Sequence, residues 1–194
     1  MKKEIIEFID QSSKIWIHMS QKIHGNPEIG NKEVYASSLL IAALEGAGFK
    51  IEKDIAGHPT GFIATKTSSK PGPTIGYLAE YDALEGLGHA CGHNMIGVSS
   101  VAAAMALGAC IEEIGGCVKV FGCPAEEGCV NGSAKASYAK MDVFKGTDVA
   151  MMVHPSSYTQ RSSTAIAVAP IDFEFFGKAA HASAMPEEGI NALD

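Results

Sequence analysis

Residues 74–94 read TIGYLAEYDALEGLGHACGHN, an apolar run followed by a dense group of polar side chains. The first six residues come directly after the turn Pro71-Gly72-Pro73, which predicts a buried β-strand over 74–79. The next fifteen residues hold three kinds of metal-binding side chain, in Glu80, Asp82, His89, Cys91 and His93. Glycines interrupt this segment three times, so its backbone can turn tightly and direct those side chains to one point. Carboxylate, imidazole and thiol together are a ligand set that a borderline divalent ion such as zinc accepts.

Strand-like and helix-like patterns alternate on both sides of this stretch. Downstream, residues 94–114 and 132–144 predict helices, and residues 117–123 and 148–153 predict short apolar strands. Upstream lie two predicted helices and a hairpin-like pair of strands, over residues 1–23, 33–48, 51–54 and 61–66. This order predicts an α/β fold, with a largely parallel mixed sheet flanked by helices.

Polar groups follow three of the predicted strands at the point where each strand ends. Asp82 follows the first strand, Glu126 and Glu127 follow the second, and His154 follows the third. In sheets of this kind the ligand crevice lies outside the carboxyl ends of the strands. We therefore expect these side chains to converge at one edge of the sheet.

Composition and charge exclude several classes of function. The net charge is −7 and no basic stripe is present, so we expect no nucleic-acid partner. No segment is apolar enough to predict a membrane span, and the acidic residues of the N-terminal helix argue against a signal peptide. Five cysteines, an odd number, predict reduced thiols in the cytoplasm. Apart from Cys91, they are expected to be small buried hydrophobes.

The end of the sequence predicts the start of a second domain. Residues 171–176 (IDFEFF) alternate as a strand does, and residues 189–194 have the pattern of a helix that is just beginning. We therefore predict a metal-binding catalytic domain over residues 1–169. Residues 170–194 would open a smaller α+β lid or dimerisation domain, the remainder of which is absent.

Several motifs together carry a family resemblance: HGNPE (24–28), AEYDALEGLGHACGHN (79–94), PAEEG (124–128), MMVHP (151–155) and GKAAHASAMPEEGINALD (177–194). The chain resembles the first half of the two-metal aminoacylase and carboxypeptidase family of metallopeptidases. Its cysteine-bearing amidohydrolase branch, which includes p-aminobenzoyl-glutamate hydrolases and β-alanyl-lysine dipeptidases, is the most similar. The resemblance implies a dinuclear-metal exopeptidase fold and a homodimer formed through the lid domain.

The resemblance also implies a role for each matching residue. The metal ligands would be Cys91, His93, Glu127 and His154, holding two divalent ions. Zinc suits the cysteine best, and manganese, cobalt or nickel are alternatives. Glu126 would be the general base, and Asp82 would orient the loop or a ligand. Where the glutamate carboxypeptidases have His-x-Asp this chain has Glu80-Tyr81-Asp82, so a ligand role for Glu80 is not implied.

Three alternatives remain open for single residues. His181 resembles a lid histidine that contacts substrate and steadies a developing oxyanion, but it could equally be a turn residue. His89 could bind metal or only form hydrogen bonds within its loop. Cys91 could be an inert thiol, but it lies at a predicted helix start, where thiolate is favoured, which supports the ligand role.

The predicted function is metal-dependent hydrolysis of amide bonds in N-acyl amino acids, dipeptides or p-aminobenzoyl-glutamate-like conjugates. Cations that activate water, and a separate carboxylate that moves the proton, are what a poorly electrophilic amide requires. One alternative is a hydrolase with Cys91 as nucleophile and a histidine as base. Another is an inactive metal-binding fragment.

Overall fold

The computed structural model describes residues 2–129, 131–161, 171 and 173–193. The chain consists of two compact units, Met1–Ser157 and Tyr158–Asp194. The domain boundary predicted between residues 169 and 170 lies outside the described residues.

The first unit is a five-stranded mixed sheet with helices packed on it. Its helices are α1 (Lys2–His24), α2 (Val34–Gly46), α3 (His93–Ala109), α4 (Ile111–Ile114) and α5 (Ala134–Lys140). Its strands are β1 (Lys50–Ile55), β2 (His58–Thr67), β3 (Thr74–Ala79), β4 (Cys117–Gly122) and β5 (Val149–Met151). The predicted strand over residues 74–79 is confirmed at both ends.

The sheet has the order β1-β2-β4-β3-β5. β3 lies between β4 and β5 and is parallel to both, as the alternation of strands and helices predicted. The hairpin of β1 and β2 joins antiparallel to β4, so the sheet is mixed. The carboxyl ends of β3, β4 and β5 consequently share one edge.

Successive side chains of the central strands pack alternately into two separate apolar clusters. Phe62 and Val120 enter the larger cluster with residues of α1, α2 and α3, whereas Ile63 and Phe121 contribute to a smaller cluster with Tyr138 of α5. This two-residue period fixes which strand face each helix covers.

Helix α3 approaches the end of β3 unusually closely, and a glycine makes that approach feasible. A Cβ atom at Gly97 would lie 2.7 Å from the carbonyl oxygen of Glu80, closer than real Cβ contacts allow. The first turn of α3, which begins at His93, is thereby held against the segment that follows β3.

The described residues of the second unit contain little regular structure. It has a short 3₁₀ helix, Pro186–Glu188, and one antiparallel bridge between Lys178 and Ile190. The strand predicted over 171–176 does not form in Ile171 or residues 173–176, and Asp172 lies outside the described residues. The predicted helix over 189–194 is also wrong, because residues 189–193 form the bridge and a turn. A strand needs a neighbour for its N–H and C=O groups, and the described part of this unit supplies none for IDFEFF.

Candidate active site

The segments that follow β3, β4 and β5 bring the predicted polar groups together. Glu80 and Asp82 lie beyond β3, Glu126 and Glu127 beyond β4, and His154 beyond β5. All of these lie in the first unit, and the expected convergence at one sheet edge is confirmed by the distances that follow.

His93 is the centre of the group and is 1% exposed. Its Nδ1 atom lies 2.8 Å from Oδ1 of Asp82 and 3.1 Å from the Asp82 carbonyl oxygen. Because both neighbours are acceptors, Nδ1 carries the proton and Nε2 faces three carboxylates. The distances from Nε2 are 3.4 Å to Glu80, 3.8 Å to Glu126 and 3.7 Å to Glu127. Burial lowers the pKa of His93, but the Asp82 hydrogen bond and the surrounding carboxylates outweigh it and raise the pKa overall.

Asp82 uses its two carboxylate oxygens to join two parts of the site. Oδ1 accepts from the ring of His93, and Oδ2 accepts from the backbone N–H of Glu127 at 2.9 Å. The orientation of the imidazole and the path of the loop after β4 therefore depend on one buried side chain. A contact of this kind suits the orienting role that the resemblance implies for Asp82.

Glu80 belongs to the same cluster, although the sequence left its role in doubt. Its carboxylate is buried, with Oε1 paired to the Nζ atom of Lys135 and Oε2 turned towards His93. Lys135 lies on α5, and its Nζ atom is also 3.8 Å from Oε1 of Glu126. Burial lowers the pKa of Lys135, but Glu80 and then Glu126 outweigh it, so its pKa is raised and it stays a cation. Nothing in the sequence around Lys135 signals this role.

Cys91 and His154 form a second pair beside His93. The Sγ atom of Cys91 lies 3.6 Å from Nε2 of His154, whose Nδ1 is 2.8 Å from the carbonyl oxygen of Pro155. Burial, followed by the carboxylates of Glu127, Glu126 and Glu80, raises the pKa of the Cys91 thiol to about 11. In the protein without metal, burial and then these carboxylates oppose the thiolate form that the helix start was expected to favour.

The donor atoms form two groups that could each hold a metal ion. Within each group the atoms lie within 4.8 Å of one another, and the groups are Cys91 with His93 and His154, and Glu80 with His93 and Glu126. Around His93, three of the described buried atoms have no hydrogen-bond partner: Oε2 of Glu80, Nε2 of His93 and Oε1 of Glu127. Unpartnered buried polar atoms are rare in folded proteins, and bound cations satisfy atoms of this kind. Of the two acids beyond β4, Glu126, the predicted base, belongs to one donor group, and Glu127, the predicted ligand, belongs to neither. The residues present therefore fit a metal centre.

The other predicted residues have different surroundings. In the second unit, Nδ1 of His181 accepts hydrogen bonds from the backbone amides of Ser183 and Ala184, which makes it a turn residue there. His89 is buried with its ring 6.2 Å from that of His24, and outside both metal-binding groups. None of the five cysteines forms a disulfide; the expectation of burial is right for Cys123 and wrong for Cys129, which is exposed.

Curated proteins with related sequences are hydrolases. The chain is 34% identical over 216 residues to one of the p-aminobenzoyl-glutamate hydrolase subunits of Escherichia coli, with 99% of this chain and 44% of that protein aligned. It is 36% identical over 207 residues to mouse Xaa-Arg dipeptidase, with 100% of this chain and 47% of that protein aligned. The chain thus spans about half the length of these relatives. No protein-family model matches it.

Solved structures with a similar fold include dinuclear metal-binding peptidases. The YxeP protein of Bacillus subtilis, described as a dinuclear metal-binding peptidase of the M20 family, superposes with a TM-score of 0.62 and 27% identity over 71% of this chain and 41% of that one. An aminohydrolase from methicillin-resistant Staphylococcus aureus gives a TM-score of 0.68 and 27% identity, covering 77% and 41% of the two chains.

The fold and the strand-end cluster define an α/β domain of the metallopeptidase type. The chain is a homologue of p-aminobenzoyl-glutamate hydrolases and Xaa-Arg dipeptidases over about half of their length, in agreement with the resemblance that its motifs carry.

Proposed function

We propose that the protein carrying this chain is a metal-dependent hydrolase of amide bonds in N-acyl amino acids, dipeptides or p-aminobenzoyl-glutamate-like conjugates. The observation that carries the proposal is the buried Nε2 atom of His93, which has no hydrogen-bond partner and faces three carboxylates. An imidazole nitrogen in that position is placed to bind a cation. The relatives' names supply the substrate classes.

Cys91, His93, Glu127 and His154 would hold two divalent ions, with zinc the best match to thiolate and imidazole. Manganese, cobalt or nickel would suit the carboxylate-rich side of the site. When bound, such ions would supply Lewis acidity towards a water molecule and towards the amide carbonyl. Glu80 lies in one of the two donor groups and would add negative charge there, with Lys135 fixing its other oxygen.

Glu126 would be the general base. Its side chain is 37% exposed, whereas that of Glu127 is 22% exposed, so Glu126 is the more open to water and substrate. The backbone of Glu127 is fixed by Asp82, which suits a ligand that must not move. Glu126 would take a proton from the attacking water and deliver it to the nitrogen of the leaving amine.

A cysteine hydrolase is the second candidate, because Sγ of Cys91 lies 3.6 Å from Nε2 of His154. A thiol nucleophile works as the thiolate, however, and the carboxylates around Cys91 oppose that form. That mechanism also gives no use to the buried acids around His93. The third candidate is a protein that binds metal but has no activity. The measurement of metal content described below applies to this candidate as well as to the metallohydrolase.

Removal of metal should abolish activity. We expect the full-length protein to lose hydrolysis of N-acyl amino acids and dipeptides on dialysis against a chelator, and to regain it with Zn²⁺, Mn²⁺, Co²⁺ or Ni²⁺. Metal content by mass spectrometry and turnover are measured on the same samples. Full turnover in a metal-free sample would remove the metallohydrolase and favour the cysteine mechanism; stoichiometric metal without turnover would leave the inactive binder.

Localisation and assembly are further parts of the proposal. Among the described residues, no helix is long and apolar enough to cross a membrane. The five cysteines, none of which is in a disulfide, support a reducing compartment, and we propose that the protein is cytoplasmic. Assembly as a homodimer through the lid domain is supported by exposed aromatic side chains in the second unit, Phe173, Phe175 and Phe176.

Residues 1–194 produced alone should associate. The side chains of Phe173 and Phe176 are 77% and 80% exposed in the second unit, and an uncovered apolar surface of this kind favours contact between chains. Gel filtration with light scattering should give species larger than a monomer, and F173S/F176S should shift them towards the monomer. The same fragment should bind metal more weakly than the full-length protein. A monodisperse monomer with full turnover would contradict this prediction.

A further inference from the structure

The segment that joins α1 to α2 contacts both loops that carry the candidate site. It includes residues 28–33, part of the HGNPEIGNKE stretch, to which the proposed reaction assigns no role. We propose that Glu33 is a positioning residue, which holds the loop bearing Glu126 and Glu127 in the conformation that the reaction requires. The effect on metal binding and catalysis rests on the proposed function, whereas the effect on the conformation of the loop does not.

Glu33 is a carboxylate that is 0% exposed and lies outside the metal-binding groups. Its Oε1 atom accepts from the backbone N–H of Ala125 at 2.9 Å, and its Oε2 atom accepts from the hydroxyl of Thr60 at 2.6 Å. Burial raises the pKa of Glu33, and the hydrogen bonds from Thr60 and Ala125 counteract that shift. A buried carboxylate is costly, so its presence calls for a contact that an apolar residue could not make.

The contact that Glu33 makes is at a strained point of the loop. Ala125, directly before Glu126, has φ = +58°, in the left-handed region that residues with a side chain seldom adopt. Such a conformation persists only where neighbouring groups hold it. The bond from Glu33 to the Ala125 amide is placed to do so, and it also satisfies a buried N–H.

Two other residues of the same segment, Gly30 and Asn31, contact the loop after β4. A Cβ atom at Gly30 would lie 2.9 Å from both Cα and Cβ of Ala125, so only glycine lets the two backbones approach this closely. Further along the loop, Nδ2 of Asn31 donates to the carbonyl oxygen of Asn131 at 3.1 Å. The segment therefore contacts the loop both before and after Glu126 and Glu127.

Hydrogen bonds through Thr60 also connect Glu33 to the residue that lies between the two acids beyond β3. The hydroxyl of Tyr81, which lies between Glu80 and Asp82, donates to the carbonyl oxygen of Thr60 at 2.7 Å. Thr60 in turn donates to Glu33. Thr60 and Glu33 thus link the loop after β3 to the loop after β4, although both lie outside the site.

Glu33→Ala in the full-length protein is the first test. We expect faster hydrogen–deuterium exchange in peptides that cover residues 123–129, with unchanged exchange in peptides of α3. Titration with Zn²⁺ should show an affinity lowered by roughly tenfold or more, the range seen when a partner of metal ligands is removed, with a fall in kcat of similar size. Glu45→Ala, which removes an exposed carboxylate from α2, is the matched control and should change neither quantity.

Glu33→Gln separates positioning from charge. Its amide oxygen can accept from Ala125 while its NH₂ group donates to the Thr60 hydroxyl, so both contacts survive without the negative charge. We expect it to recover most of the Zn²⁺ affinity and loop protection. Ala125→Gly added to Glu33→Ala should also restore part of the affinity, because glycine adopts φ = +58° without strain.

Three results would overturn the inference: wild-type exchange and affinity in Glu33→Ala, faster exchange spread evenly over the first unit, or Glu33→Gln as impaired as Glu33→Ala. If Glu33→Ala does not fold, Thr60→Val decides, since it removes one of the two contacts and should give the same local change in smaller degree. The exchange measurement needs neither metal nor substrate. A wild-type protein that binds none of Zn²⁺, Mn²⁺, Co²⁺ and Ni²⁺ would therefore refute the proposed function, while the exchange data still decide the role of Glu33.

Discussion

Glu126→Gln is expected to lower kcat by roughly a hundredfold or more, with metal content near that of the wild type. Glutamine keeps the size of the side chain and can form hydrogen bonds to Lys135 or water, but it cannot accept a proton from the attacking water. Since the Glu126 side chain is partly exposed, its neutralisation should leave the packing undisturbed. Steady-state kinetics and metal analysis of the same preparation measure both quantities.

Glu127→Gln is the matched comparison, because it makes the same chemical change one residue later. Its buried Oε1 atom is one of the unpartnered donors, so this variant should lose metal occupancy, and lose activity as a consequence. Excess divalent ion should restore part of the activity of Glu127→Gln and none of that lost by Glu126→Gln. Equal loss of metal in the two variants, or a Glu126→Gln enzyme as fast as the wild type, would contradict the assigned roles.

Substitution of Cys91 is expected to have a large effect on Zn²⁺ affinity. It also distinguishes the metal-dependent mechanism from one in which Cys91 is the nucleophile. Cys91→Ala removes a proposed ligand, so we expect Zn²⁺ affinity to fall by at least the roughly 10–100-fold that loss of an outer partner costs. Cys91→Asp supplies a carboxylate, which can bind a divalent ion but cannot replace a thiol nucleophile in Cys–His chemistry. Under the metal mechanism Cys91→Asp therefore keeps measurable turnover, above all with Mn²⁺.

The outcome is measured by metal titration and by turnover at saturating metal, with Cys129→Ala as a control at an exposed cysteine. If Cys91→Ala and Cys91→Asp both retain full metal content and lose all activity, Cys91 is the nucleophile. The pairing of its sulfur with His154 would then be the catalytic contact.

Much of the fold could be predicted because its signals are local. The run over residues 74–79 and the apolar helix after His93 each have a pattern and a terminating turn within a few residues. The hairpin of β1 and β2 was predicted, but its position next to β4 was not, because pairing between distant strands leaves no mark in either strand alone. The strand predicted over 171–176 shows the opposite error, since its alternating pattern says nothing about whether a partner is present.

The sequence by itself determined the chemical character of the site. It places acids and an imidazole shortly after strands that run in parallel, with a thiol and a second imidazole where the loop after β3 meets α3, and parallel strands end at a common edge. Asp82, Cys91, His93, Glu126, Glu127 and His154 could therefore be named in advance.

Only the tertiary structure decided how these groups are held. Lys135 reaches Glu80 from a helix 55 positions further along the chain, and Glu33 reaches Ala125 across 92 positions. Each contact joins a buried charge to a partner on a different element, and neither residue stands in a motif that signals its role. Burial is what gives these contacts their strength, because a charge removed from water must find its partner within the protein. Burial is a property of the packed fold, so the sequence pattern shows which groups can react, and the packing fixes where they point.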